Sequence, residues 1–190
     1  MIAATNNKGK LKEIREILKN YRIYSLKEMG ISADIIEDGK TFFENAKKKA
    51  IEIYNIAGNN EEVIADDSGL CIRALNGFPG VETHRFLGKN VTDKERNEYL
   101  INEVNKYTDR SCQFICNIVY YDGLKIILAE GILEGNIAKK CRGNNGFGFD
   151  EIFELPNGLT LAELPSNEKN DISARSLALK DLKRKLKIYK

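Results

Sequence analysis

The 190-residue sequence predicts an α/β or α+β fold built on a mixed sheet. Three observations carry that expectation. Near the start, short apolar runs alternate with stretches of helical periodicity, as strand–helix units do. In the middle, Asp122-Gly123 separates two extended runs, a strong hairpin signal. No internal repeat, linker or low-complexity tract divides the chain, so a single domain over 1–190 is expected.

The elements follow in order. Residues 2–5 form a short apolar strand. Over 8–20, Leu11, Ile14 and Leu18 fall on one face with lysine and glutamate between them, which predicts a helix. A second strand fits 21–26, and 27–40 is loop-like. Thr41-x-x-Glu44 is a capping box. The stripe Phe42, Ala46, Ala50, Ile53 and Ala57 carries that helix to about Ala57, where Gly58 is a natural stop. Residues 63–65 read as a brief strand ending in Asp66-Asp67-Ser68-Gly69, and 70–75 resume an extended pattern. Residues 76–90 form a glycine- and proline-containing loop, and 93–106 a helix. The hairpin arms are 112–121 and 124–133, with Cys112, Phe114, Cys116, Ile118 and Tyr120 on one face. The segment 143–150 is glycine-rich and irregular, 151–155 is a short strand, and Asn157-Gly158 is a turn. A helix over 172–187 closes the chain.

Composition excludes several classes. Hydrophobic residues make up 42% and charged residues 31%, which is ordinary for a cytoplasmic globular protein with a real core. Thirty basic against 28 acidic residues leave +2, too little for a nucleic-acid or membrane field. No apolar run approaches a membrane span, and the N-terminal residues lack the pattern of a signal peptide. Cys71, Cys112, Cys116 and Cys141 form no C-x-x-C and are expected as free thiols.

Five constellations could carry chemistry. Thr5-Asn6-Asn7-Lys8-Gly9-Lys10 lies where a strand ends and a helix begins. Free backbone N–H groups and the helix dipole favour an anion there, and Thr5, Asn7 and Lys10 can hold phosphate oxygens. A turn opening a solvated helix would look the same. Gly39-Lys40-Thr41 ends like a Walker A loop, but Asp34 stands where glycine is needed, so a P-loop is excluded.

Asp66 and Asp67 follow an apolar run with Ser68-Gly69 behind them. Two adjacent carboxylates are costly unless something positive neutralises them. Magnesium takes one or two carboxylates together with phosphate oxygens and water, so the pair suits a metal–triphosphate site. A polar turn capped by Asp67 is the competing reading. Glu37-Asp38-Gly39 precedes the helix that carries Asn45 and Lys49. Among the three lysines 47 to 49, Lys49 falls nearest the apolar stripe and can snorkel into a site, while its neighbours face solvent. In Gly146-Phe147-Gly148-Phe149-Asp150, glycines around an aromatic let backbone approach a planar ligand, and Phe147 could stack on a base. Lys169 and Arg175 flank the expected start of the last helix, and an arginine fork reads base edges well.

In this order, the segments resemble the inosine triphosphate pyrophosphatase family, whose members remove non-standard purine nucleotides. The motifs that carry the resemblance begin with Thr5-x-Asn7-x-x-Lys10, Glu37-x-Gly39-x-Thr41-Phe42-x-Glu44-Asn45-Ala46 and Ala65-Asp66-Asp67-Ser68-Gly69-Leu70. Phe78-Pro79-Gly80, Gly146-Phe147-Gly148-Phe149-Asp150, Ala162-Glu163-Leu164 and Lys169-x-x-Ile172-Ser173-x-Arg175 complete the set. Each is short, but together they span nearly the whole chain.

The resemblance implies an α/β fold: an elongated, two-lobed unit with a long mixed twisted sheet flanked by helices and an active cleft between the lobes. It also implies a cytoplasmic homodimer with no nucleic-acid or membrane partner. The implied activity is magnesium-dependent hydrolysis of ITP, dITP and XTP to the monophosphate and pyrophosphate, which cleanses the nucleotide pool. Thr5, Asn7, Lys10 and Lys49 are then expected to hold the triphosphate, with Asn6, Lys8, Gly9, Asn45 and Ser68 beside it. Glu37 and Asp67 bind Mg2+, Asp66 stands close by, and Asp67 orients or deprotonates the attacking water. Phe147 stacks on the base, flanked by Gly148 and Phe149, and Asp150, Lys169, Ala174 and Arg175 line its pocket.

Two departures stand out. Ser173-Ala174-Arg175 replaces the usual Ser-His-Arg, which removes an imidazole from the base pocket. Thr83-His84-Arg85 stands where Ser-Ala-Arg is common and holds the only histidine, so His84 is a candidate substitute for the missing ring. Ala174 leaves open a pyrophosphatase of the same architecture with another base preference. A catalytically weak nucleotide sensor is a separate reading, which the set Glu37, Asp66 and Asp67 argues against. The basic C-terminal helix permits an RNA-binding reading, although basic residues at a helix end follow from the dipole alone.

Overall fold

The computed structural model describes residues 1–83, 85–88 and 90–189. The α/β class is as expected. Six strands hydrogen-bond in the order β2-β1-β3-β4-β5-β6. They are β1 (Ile2–Ala3), β2 (Tyr24–Ser25), β3 (Val63–Ile72), β4 (Ser111–Tyr121), β5 (Ile126–Ile137) and β6 (Phe153–Glu154). The helices are α1 (Lys8–Ile17), α2 (Phe42–Ile56), α3 (Asp93–Val104), α4 (Ser166–Ile172) and α5 (Ala174–Tyr189). The β1 strand pairs parallel with β2 and β3, whereas β5 and β6 pair antiparallel, so the sheet is mixed.

The chain forms two compact units, and β3, β4 and β5 each contribute to both. The first comprises Met1–Ser68, Cys116–Gly131 and Ala174–Lys190. Here Ile2 pairs with Tyr24 on one side and Val63 on the other. Helix α2 covers one face of these strands: Ala46, Ala50 and Ile53 pack with Ile2, Val63, Ala65 and Val119. The opposite face holds Ile14 of α1, Ile64, Ile118 and Leu179 of α5 around one small cavity. Val63 and Ala65 thus face one way and Ile64 the other, the period-2 alternation of a strand. Helix α2 begins as its capping box requires: the Thr41 side chain accepts from Glu44 N–H, and Glu44 accepts from Thr41 N–H.

The second unit comprises Gly69–Ile115 and Ile132–Ser173. Its core joins Leu70 and Ile72 of β3, Leu100, Ile101 and Val104 of α3, Cys112 of β4 and Phe153 of β6. Thr92 and Glu95 form the capping box of α3. All four cysteines are free thiols, as expected.

Several boundaries differ from expectation. The strand expected to end at Asp66 runs on unbroken through Ile72, carrying both aspartates inside it. The Asp-Asp-Ser-Gly signal reads as a turn only when its carboxylates lack partners, and here both have them. Residues 73–75, expected as extended, form a 3-10 turn. The helix expected from Ile172 begins at Ala174 as α5; Ser173, whose ψ of 150° is extended, separates it from α4, which was not expected. Helix α4 buries only Lys169, so it has no apolar stripe to announce it. The strands expected over 21–26 and 151–155 contract to two residues each. Of the residues expected on one face, Cys112, Cys116, Ile118 and Tyr120 are buried and Phe114 partly so, but Asn117 and Val119 are buried too, so this part of β4 is covered on both faces.

Ile53 is fully buried at the centre of the α2 face. Ile53→Ala is expected to lower the unfolding free energy by about 2–5 kcal/mol, read as a lower urea midpoint with an unchanged slope. A loss below about 0.5 kcal/mol would show that α2 does not pack on the sheet through this residue.

Candidate active site

The site is built around consecutive residues of β3. Because side chains alternate along a strand, Asp66 faces α1 and α5 while Asp67 faces α2. Both are buried, and each meets a different set of groups.

On the α1/α5 face, Lys10 Nζ lies 3.0 Å from Asp66 Oδ2, and Arg175 Nε donates to the same oxygen at 3.2 Å. The Ser68 hydroxyl lies 3.4 Å from Oδ2 and accepts from Arg175 at 3.1 Å. Arg175 also forms a close, fully buried ion pair with Glu13 of α1. Lys10, Glu13 and Ile14 are the buried residues of α1. Two carboxylates and two cations therefore meet on this face. Burial alone would raise the Asp66 carboxyl, but Lys10, Arg175 and Lys49 outweigh it and hold it well below the usual carboxylate range. Burial would lower Arg175, yet Asp66 and Glu13 raise it above its ordinary value. Cys116 is buried in the same field, and its thiol is pushed up to about 12, chiefly by burial.

On the α2 face, Asn45 Nδ2 donates to Asp67 Oδ2 at 2.9 Å, and Ser68 N–H donates to Oδ1 at 3.0 Å. Lys49 Nζ donates to Glu37 Oε1 and to the Asp66 carbonyl, each at 2.5 Å, and lies 4.0 Å from Asp67 Oδ1. Glu37 and Asp67 thus share one ammonium. Burial raises the Asp67 carboxyl; Lys49 opposes the shift and Glu37 adds to it, so the net shift is upward. Lys49 loses to burial but gains more from Asp66, Asp67 and Glu37, and ends raised. The Gly39 N–H donates to Asn45 Oδ1 at 2.7 Å, and a Cβ on Gly39 would lie 2.7 Å from that oxygen. The glycine is therefore required for Asn45 to orient Asp67.

The loop before α1 differs from expectation in one respect. Asn7 is the N-cap, and its Oδ1 accepts from Gly9 N–H at 2.9 Å and Lys10 N–H at 3.1 Å. Those two amides are consumed by the cap. Thr5 Oγ1 in turn accepts from Asn7 N–H at 3.1 Å. Asn6 and Lys8 are exposed.

The second unit holds a separate set. The Asp150 Oδ2 atom accepts from Phe147 N–H at 2.8 Å and from Lys169 Nζ at 2.7 Å. Lys169 Nζ also lies 4.6 Å from the Phe147 ring centroid. Phe149 is buried in the core with its ring stacked on Phe86. Ala174 is the buried first residue of α5; a Cβ on Gly131 would fall 2.0 Å from its carbonyl oxygen. In the first unit Arg175 pairs with Asp66 and Glu13. His84 lies outside the described residues.

Sequence reasoning missed Glu13. Its signal was present, since Glu13 lies three residues after Lys10 on the same helix face. The apolar periodicity of α1 drew attention to Leu11, Ile14 and Leu18 instead.

Opposite shifts on neighbouring residues predict unequal responses. A carboxyl held low contributes stability above its ordinary value, and that contribution drains away as pH falls below it. Asp66→Asn is expected to cost about 3–5 kcal/mol at pH 7, because it removes the carboxylate that Lys10 and Arg175 share and leaves Glu13 against two buried cations. The difference from wild type should shrink as pH falls below the carboxylate range. Burial raises Asp67, so the fold favours its ionised form less, and Asp67→Asn without metal should cost less than Asp66→Asn. Denaturant unfolding across pH checks both. Equal losses at the two positions would contradict the division.

A family model described as the Ham1 family matches residues 1–185. A protein named dITP/XTP pyrophosphatase from Clostridium perfringens is 46% identical, covering 98% of this chain and 96% of its own length. One of the same name from Clostridium tetani is 40% identical, covering 100% and 96%. Among solved structures, the Ham1 protein of Staphylococcus aureus superposes with a TM-score of 0.87 at 37% identity, covering 100% of this chain and 98% of its own. A HAM1 protein from Coxiella burnetii gives 0.85 at 38%, covering 98% and 97%. A family model over nearly the full length and relatives of this identity establish that the chain belongs to the Ham1 family.

Proposed function

We propose that this protein is a pyrophosphatase that hydrolyses non-standard purine nucleoside triphosphates, dITP, XTP and ITP, to the monophosphate and pyrophosphate, and so cleanses the nucleotide pool. The names of its relatives support the reaction and substrate class. The observation that carries the reading is the split between Asp66 and Asp67. One buried carboxylate is neutralised by paired cations, and its neighbour is left poised to take a proton.

Asp67 acts as the general base. A carboxylate whose pKa is raised accepts a proton more readily from an attacking water. Asn45 and the Ser68 amide fix its orientation. Attack at the α-phosphorus expels pyrophosphate. Lys49, with Lys10, Thr5 and Asn7 at the head of α1, binds and neutralises the triphosphate oxygens. Asp66 holds Lys10 and Arg175 in place and remains ionised throughout.

Magnesium fits the α2 face, where Glu37 and Asp67 share the single ammonium of Lys49. A second positive charge there would offset the repulsion between Glu37 and Asp67, which adds to the effect of burial on Asp67. No group of three carboxylate, histidine or cysteine side chains is arranged for a metal among the described residues. Magnesium takes one or two carboxylates and completes its shell with phosphate oxygens and water. Glu37 and Asp67 are the residues that would hold it. When bound, the ion supplies electrostatic stabilisation of charge on the phosphate oxygens.

Phe147 takes the base on its ring, with Lys169 and Asp150 beside it. A single family model spans residues of both units, which supports one pyrophosphatase domain over 1–190. The reading includes a cytoplasmic homodimer that acts on free nucleotides rather than nucleic acid. Exposed Ile126, Leu128 and Leu177 in the first unit give such a dimer apolar surface to use.

Pyrophosphate release should require magnesium, stop with a chelator and favour dITP and XTP over the standard triphosphates. Asp67→Asn should lower kcat by roughly 10²–10⁴-fold while nucleotide binding persists. Turnover within about threefold of wild type would remove Asp67 as the base, since general-base loss costs far more.

A further inference from the structure

Helix α3 buries Arg96, Asn97, Leu100, Ile101 and Val104. Leu100, Ile101 and Val104 belong to the apolar core of the second unit, and Asn97 is as fully buried as they are. A carboxamide in such a place is costly unless its polar atoms are paired. Only half of this one is: Nδ2 donates to the Gly148 carbonyl at 3.1 Å, and Oδ1 is buried without a partner among the described residues. The opposite amide orientation would set an oxygen against the Gly148 carbonyl, so hydrogen bonding fixes the assignment. A leucine would serve the core better. What Asn97 gains is a hold on one peptide of the loop after Phe147.

A second hold lies one turn earlier. Asp93 Oδ2 accepts from Gly148 N–H at 3.1 Å. The N–H and the carbonyl of Gly148 are therefore both tied to α3. On the other side of Phe147, its own N–H is tied to Asp150 and its ring carries Lys169. The ring is thus held at both ends of its backbone.

We infer that Asn97 is a positioning residue for base recognition: by fixing the Gly148 peptide it sets the pose in which the Phe147 ring meets the base. Asn97 does not touch the nucleotide. The inference rests on the proposal that Phe147 stacks on the base, and its test separates the two.

The measurement is steady-state hydrolysis of dITP by Asn97→Ala, Phe147→Ala and the double variant, with thermal unfolding of each. Asn97→Ala should raise KM about 5–20-fold with kcat within about threefold, the scale of one weakened stacking contact. In the Phe147→Ala background the same change should raise KM less than about twofold, because there is no ring left to place. An equal effect in both backgrounds, or no effect of Asn97→Ala where Phe147→Ala has one, overturns the inference. An unchanged KM in Phe147→Ala removes the base-stacking reading itself, and the inference falls with it. If Asn97→Ala fails to fold, Asp93→Ala carries the same cycle, since Asp93 is exposed and holds the N–H of the same residue, Gly148.

Discussion

The structure depends on one constraint: consecutive side chains of a strand point to opposite faces. Strand β3 carries two buried carboxylates in succession, so they cannot share a set of partners. Asp66 is met by cations from α1 and α5, and Asp67 by an amide and an ammonium from α2. The pattern of the first unit follows from this. Helix α1 must turn Lys10 and Glu13 inward, α5 must begin with Arg175 beside them, and α2 must present Asn45 and Lys49 on the flank of its apolar stripe.

The division also separates two chemical tasks. On the α1/α5 face Asp66 and Glu13 fix Lys10 and Arg175, and the proposal has Lys10 held there for the triphosphate. On the α2 face Glu37 and Asp67 both approach Lys49, and the proposed metal and base roles rest on that pairing. Lys49 joins the faces through the Asp66 carbonyl, so the position of the ammonium depends on the backbone of the strand as well as on the carboxylates. Burial strengthens each of these interactions, because little water screens them.

Much of this is legible in the sequence. The capping box at Thr41 fixes the phase of α2, and that phase singles out Lys49 from its two neighbours. The glycine at 39 permits a close approach, which the structure shows to be that of Asn45. Sequence and structure part where a local signal competes with distant partners. Asp66-Asp67-Ser68-Gly69 has the composition of a turn, but it lies in a strand between β1 and β4, and Lys10 and Arg175, far away in sequence, meet its buried Asp66. Helix α4 has almost no buried face, so periodicity could not reveal it. Glu13 and Asn97 are hidden for the same reason as each other: each is a polar residue on a face otherwise assigned to the core, and only its partner gives it meaning.

The central claim is that Asp67 directs water to the α-phosphorus. Hydrolysis of dITP in water enriched in oxygen-18, with the products resolved by mass, tests this directly. The account predicts one labelled oxygen in the nucleoside monophosphate and none in pyrophosphate. Label in pyrophosphate would place the attack at the β-phosphorus. Release of labelled orthophosphate would place it at the γ-phosphorus. Either result would contradict the proposed roles of Asp67, Glu37 and Lys49.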